Sequence, residues 1–320
     1  MHSHSRSNLR AALTALCAFA VFSGHDVVVK QLGGSYAPFQ IVFFSVLFGF
    51  PVVTLMLIRD RTDGNLRPRH PWWTALRTVS AVIASLSVFY AFSKLPLAQT
   101  YAILFAAPLL ITLLAIPLLG EKVGWHRGAA ILVGLIGVMI VLRPGSTPLT
   151  LAHLSALSAA VFSALAAVIV RKIGSDERSV VLLLYPMLTN FVVMACLMPF
   201  VYVPVSLPHL GGFGLMAVLV FCATLLQIAA YRVGSAFVVA PMQYSQIIWA
   251  VVFGVLFFDE YPDRSTIIGA CVVICSGLYI VFREDKSAVS VNTPVLSTRS
   301  RFAVGTMPRV GAVQKLWRKS

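Results

Sequence analysis

The sequence predicts an all-α integral membrane protein, with about ten transmembrane helices arranged as two inverted five-helix repeats. Three observations lead there. Of 320 residues, 58% are hydrophobic and 11% charged, against about 45–50% and about 25% in a soluble domain. The apolar residues gather in runs of spanning length, separated by short segments marked by Gly, Pro and charge. One arrangement is also written twice. An apolar run from Pro108 ends at Leu-Gly-Glu121 and is followed by a second run from Gly128 to Arg143. Another from Gln246 ends at Phe-Asp-Glu260 and is followed by a run from Gly269 to Arg283.

A spanning helix needs about 20 mostly apolar residues. The qualifying segments are 10–31, 36–58, 72–93, 97–119, 127–143, 150–171, 179–202, 211–230, 236–258 and 265–282, the fifth and tenth being shortest. Arg6 and Arg10 precede the first run as they would in a signal peptide. The run continues to His25 and Asp26 without a small-residue cleavage pattern, so it is read as a span. Helices are required because a lipid-exposed backbone must satisfy its own hydrogen bonds. Pro108, Pro117, Pro186 and Pro241 mark places where spans can bend. Cys17, Cys196, Cys222, Cys271 and Cys275 all fall in apolar runs with no metal or disulfide spacing; Cys271 and Cys275 share a helix face and are expected to be small buried side chains. Residues 284–320 lose the apolar runs and read as a disordered basic tail held near anionic lipid.

The net charge of +14 does not point to nucleic acid, because the basic residues lie between apolar runs and in the tail rather than on one polar face. They set orientation instead. With the N-terminus in the cytoplasm, the inner segments hold Arg59, Arg67, Arg69, Arg127, Arg171, Lys172, Arg178 and Arg232, while the outside keeps Lys30, Lys94, Arg143 and Arg264. Both termini are therefore expected to be cytoplasmic. Five is odd, so a second half of five spans starts on the opposite side of the membrane. The repeats 9–143 and 150–283 are then inverted, with Glu121 at the cytoplasmic face and Glu260 at the external one. Inverted halves enclose a midplane site and exchange access by rocking.

Ionisable and amide side chains in the spans are the candidate functional residues. His25, Asp26 and Lys30 lie in the outer part of the first span, and Asp26 and Lys30 are spaced to pair on one face. They form either a gate or proton-responsive element, or a snorkelling cluster that anchors the helix. Gln243, Gln246 and Trp249 recur every three residues beside Tyr244, a stripe of amides and an indole suited to a neutral aromatic heterocycle. Gln99, Tyr101 and Phe105 face it from the fourth span, and Phe44 and Tyr90 add aromatic surface; each has a packing or interhelical hydrogen-bonding alternative. Glu121 and Glu260 are either gating or coupling acids, or loop anchors paired with Lys122, Arg127 or Arg264. No nucleophile–base pair, phosphate loop or metal-ligand motif is present, so neither an enzyme nor a cofactor or metal is expected.

Leu-Gly-Glu121 and Phe-Asp-Glu260, the glycines Gly128, Gly134, Gly137, Gly269 and Gly277, and Ser-Gly-Leu-Tyr-Ile-Val-Phe-Arg283 resemble the drug/metabolite transporter superfamily. The resemblance is to its ten-span EamA-type carriers with two EamA domains, over roughly residues 9–283. It implies a secondary carrier or facilitator of a small metabolite in the bacterial inner membrane. His25-Asp-Val-Val-Val-Lys30, Pro38-Phe-Gln-Ile-Val-Phe-Phe-Ser45 and Leu97-Ala-Gln-Thr-Tyr-Ala-Ile-Leu-Phe105 are similar to the bacterial riboflavin importers of this fold. Many relatives carry Arg at the position of Ser45, which removes a cation here. Riboflavin uptake by alternating access is the expectation, and export of amino acids, drugs or other metabolites the alternative. The expected partners are the cargo, the lipid bilayer and, through the small-residue faces of the fifth and tenth spans, a second copy in a homodimer.

Overall fold

The computed structural model describes residues 2–59, 66–121, 123–145, 148–233 and 236–286. Among these, every regular element is helical: α1 (His2–Gly33), α2 (Pro38–Arg59), α3 (Pro71–Lys94), α4 (Leu97–Leu104), α5 (Ala106–Leu119), α6 (Trp125–Leu142), α7 (Leu151–Ile173), α8 (Ser179–Val201), α9 (Leu207–Val233), α10 (Ala236–Val239), a 3-10 turn (Ala240–Tyr244), α11 (Ser245–Phe258) and α12 (Arg264–Lys286). Among the described residues, nine stretches are long and apolar enough to cross a membrane, with α4 and α5 forming one of them, and α2 begins with a shorter apolar stretch. The spans from Trp125 and Arg264 are the shortest, at 18 residues each. The expected tail lies, beyond Lys286, outside the described residues, as does Lys122.

The halves interleave. α1 packs against α9 and α3 against α7, α2 against α8, and α6 against α12. Each is a contact between one half and the other. Direction follows from side-chain ties: Leu97 N–H, at the start of α4, donates to Glu260, and Glu121 follows the end of α5. Glu121 and Glu260 therefore sit at opposite ends of the span Leu97–Leu119, about 34 Å apart at 1.5 Å per residue. α11 ends two residues before Glu260, so the corresponding spans of the two halves run in opposite directions.

Two breaks follow from proline. Pro108 has no N–H to give the carbonyl of Leu104, and its ring crowds that carbonyl. The fourth span accordingly breaks at Phe105, three residues before the proline. Pro241 acts likewise, and the ninth span tightens into the 3-10 turn before resuming at Ser245. Pro117 and Pro186 lie inside continuous helices.

α6 and α12 approach on their glycines. A Cβ on Gly269 would stand 2.5 Å from the Gly137 carbonyl oxygen, and one on Gly134 2.3 Å from Leu109 and 2.8 Å from Ser276. Ser276 Oγ donates to the Ala130 carbonyl at 2.5 Å across the same seam. The small-residue faces expected to permit a dimer are thus occupied within the chain. Cys271 and Cys275 also depart from expectation: all five cysteines are exposed. A small apolar thiol loses little against acyl chains, so lipid rather than the interior takes it.

Candidate functional site

Both acids arise from the same local turn. α5 ends with Gly120 at φ 70°, and α11 with Asp259 at φ 54°. Glu121 N–H then returns to the Ala115 carbonyl and Glu260 N–H to that of Gly254, the six-to-one bond of a left-handed helix cap. Glycine adopts that conformation freely, and Asp tolerates it. Each cap holds its glutamate at the end of a span.

Each glutamate meets a cation from the opposite repeat. Lys30 Nζ of α1 lies 2.5 Å from Glu260 Oε1 and 2.5 Å from the Leu95 carbonyl, while Glu260 Oε2 accepts Leu97 N–H at 3.1 Å. At the other end Arg171 of α7 pairs with Glu121, and Lys172 donates to the Leu118 carbonyl at 2.8 Å. The side chains are 10% and 22% exposed in the first pair and 8% and 11% in the second, sheltered enough to escape most salt screening. These partners replace the expected ones. Glu260 takes Lys30 rather than Arg264, Glu121 takes Arg171, and Lys30 does not pair with Asp26.

Asp26 is otherwise engaged. It is 3% exposed, His25 Nδ1 lies 2.8 Å from Oδ1, and Tyr101 OH donates to Oδ2. Ser23 Oγ and Gln246 Nε2 approach the same phenol oxygen at 3.4 and 3.5 Å. A donated proton to Asp26 leaves that oxygen as their acceptor. α1, α4 and α11 thus share a buried network that begins one turn inward from Lys30. His25 meets Phe89 edge-on.

Beyond the network lie the break residues. Phe105 and Tyr244 each stand sixteen residues before their repeat's glutamate, and their rings are 5.1 Å apart. Tyr101 packs on Phe105 at 5.9 Å. Three polar atoms in residues 244–249 are buried without a partner: Tyr244 OH, Ser245 Oγ and Trp249 Nε1. Ser245 and Trp249 are four residues apart on α11, hence on one face. Unmet buried donors are costly and suit a ligand that brings acceptors.

The sequence-predicted site residues divide accordingly. Asp26, His25, Tyr101 and Gln246 come together, as do Phe105 and Tyr244. The even stripe does not survive: Gln243 lies in the 3-10 turn, Gln246 turns to Tyr101, and Trp249 stacks on Phe253 at 5.9 Å. Gln99 instead bonds His153 at 3.1 Å. Phe44 stacks on Phe213 of α9 at 4.7 Å, and Tyr90 packs against the hydrophobic core while its carbonyl accepts Ser93 Oγ. Ser23, Ser245 and Arg171 are additions. Arg171 had a readable signal, since Val27-Val-Val-Lys30-Gln-Leu-Gly33 is rewritten as Val168-Ile-Val-Arg171-Lys-Ile-Gly174.

Comparison with known proteins agrees with this architecture. The family model of the EamA-like transporter family matches residues 9–143 and again 150–283. An S-adenosylmethionine uptake transporter of Rickettsia prowazekii is 27% identical over 287 residues, 88% of this chain and 97% of its own length. A riboflavin transporter of Vibrio cholerae is 30% identical over 270 residues, 77% of this chain and 88% of that one. A pseudopaline exporter of Pseudomonas aeruginosa is 26% identical over 265 residues, 82% and 92% of the two chains. A solved crystal structure superposes with a TM-score of 0.56 over 90% of this chain and all of that one, at 20% identity, and so shares the fold. With two matched segments that together span most of its length, this multi-pass membrane protein belongs to the EamA-like transporter family.

Proposed function

We propose that the chain is a secondary carrier that takes a small nitrogen-heterocyclic metabolite across the bacterial inner membrane by alternating access, with riboflavin the first cargo to test. One observation carries the reading: an equivalent ion pair, Lys30–Glu260 and Arg171–Glu121, joins the two repeats at each end of the same span. Breaking the first unties α1 from the α11–α12 loop. Breaking the second frees α7 from the end of α5. If one opens while the other holds, the space around Phe105 and Tyr244 reaches one side of the membrane at a time.

Within that space the rings of Phe105 and Tyr244 offer stacking surface. Ser245 and Trp249 offer donors to a carbonyl or ring nitrogen of the cargo. Movement of Tyr101 or Gln246 would couple cargo to Asp26, and from there along α1 to Lys30. Riboflavin and S-adenosylmethionine both carry an acceptor-rich heteroaromatic ring, which fits such a surface. The excess of Lys and Arg in alternate loops favours cytoplasmic termini, with Lys30–Glu260 on the external side. Export is the second reading, favoured by the similarity to the pseudopaline exporter.

The test is rescue of a riboflavin auxotroph lacking its own importer, with labelled riboflavin and labelled S-adenosylmethionine uptake measured in the same cells. Uptake of either supports the heterocycle carrier. Membrane-inserted protein that accumulates neither, while lowering the cellular level of a metabolite, gives the exporter reading.

A further inference from the structure

We infer that α3 carries a buried site for an oxyanion of the phosphate or phosphodiester type, formed by Thr74, Arg77 and Thr78 and separate from the transport path proposed above. These residues fall within five positions on one side of α3. They are 1%, 6% and 6% exposed. Arg77 donates through Nη1 to the Leu182 carbonyl of α8, and no carboxylate among the described residues pairs with it. Its Nε, Thr74 Oγ1 and Thr78 Oγ1 are all buried without a partner. In the loop after α7, Glu177 accepts the His70 backbone N–H at 2.6 Å and so serves the start of α3.

A guanidinium withdrawn from water without a counter-charge is strongly unfavourable. Three unmet donors around it, one from the guanidinium and two hydroxyls, match the several acceptor oxygens of a phosphate group, which arginine binds in a fixed fork. Depth agrees with such a ligand. α3 begins at Pro71 at the Glu121 end, and residues 74–78 lie about 5–11 Å into it at 1.5 Å per residue, from where a long arginine side chain reaches toward the headgroup region. A free phosphate and a headgroup phosphodiester present the same oxygens there.

Unfolding temperature of the full chain in phosphate-free maltoside micelles separates the sources. In these micelles inorganic phosphate is titrated against chloride at matched ionic strength; in phosphate-free buffer, phosphatidylglycerol is added to the micelles. A saturable rise with phosphate assigns a solute anion, and a rise with phosphatidylglycerol alone assigns the lipid. Thr74→Val/Thr78→Val is expected to weaken the response about tenfold, for two lost hydrogen bonds, and Arg77→Met to abolish it. Without added anion, Arg77→Met is expected to be at least as stable as the wild type, because the stranded charge is gone. The inference is overturned if neither anion raises the wild-type transition, if Arg77→Met still responds, or if Arg77→Met unfolds far earlier without anion.

Discussion

Replacing Glu260 with Gln tests the paired gates most directly. The amide keeps the side chain's size and can still accept Leu97 N–H, now 3.1 Å away. It loses the charge facing Lys30 Nζ at 2.5 Å. Lys30 is then left with the Leu95 carbonyl, in a setting where its side chain is 10% exposed. Stranding one member of a fully buried pair costs about 3–5 kcal/mol, and an exposed pair about 0–1 kcal/mol. Glu260 is 22% exposed, which places this pair between the two, at about 2 kcal/mol. That corresponds to roughly a 30-fold shift toward conformers in which the Glu260 end is open. The assay is the labelling rate of Ser245→Cys, in a background without the five native cysteines, by a membrane-impermeant maleimide applied to one side. Glu260→Gln should raise labelling from the Glu260 side, and Glu121→Gln from the other. Removing both charges with Lys30→Met/Glu260→Gln should shift the equilibrium less than Glu260→Gln alone, because no charge is stranded. If Glu260→Gln and Glu121→Gln raise labelling from the same side, or neither changes it, the two pairs do not act as opposed gates.

Three further outcomes are expected. Tyr101→Phe removes the donor that joins Asp26 to Gln246, a loss of about 1–3 kcal/mol to a buried acceptor; transport should fall at least about tenfold while the protein still purifies folded, as size-exclusion chromatography would check. Gly269→Ala sets a methyl 2.5 Å from the Gly137 carbonyl oxygen, so α6 and α12 must part at about 1–3 kcal/mol; thermal melting in detergent should show it, with Gly128→Ala, which meets nothing within 4 Å, as the neutral control. Burial pushes the Asp263 carboxyl up, but Thr266 and Arg143 together outweigh that and hold it below its usual range. Its contribution to stability should therefore be present at neutral pH and lost as pH falls through that lowered value, so the melting-temperature gap between wild type and Asp263→Asn should close below about pH 4.

Features set by composition and counting were readable from the chain. Apolar runs mark the spans because lipid permits little else, and the repeated glutamate after each helix end exposed the duplication. Partners across the fold were not readable. The four-residue spacing of Asp26 and Lys30 allowed a pair, yet Tyr101 and His25 occupy Asp26 while Glu260, far away in sequence, draws Lys30. A bend at Pro241, just before the stripe on the ninth span, was readable, but the partners that Gln246 and Trp249 take, Tyr101 and Phe253, were not. Burial of Cys271 and Cys275 was misjudged because an apolar run does not tell a lipid-facing position from an interior one. Thr74, Arg77 and Thr78 looked ordinary in sequence; their unmet hydrogen-bonding capacity exists only once α3 is buried among its neighbours.

The seam between α6 and α12 has one more property. Shifting residue numbers by 139, the separation of Glu121 and Glu260, carries Gly137 to Ser276 and Ala130 to Gly269. The meeting of Gly137 with Gly269 and that of Ala130 with Ser276 are therefore images of one another. A surface that maps onto itself in this way is self-complementary, as at a two-fold interface between identical subunits. A lone five-helix unit bearing it could clasp an upside-down twin, so fusing two such units end to end would preserve a joint that already worked.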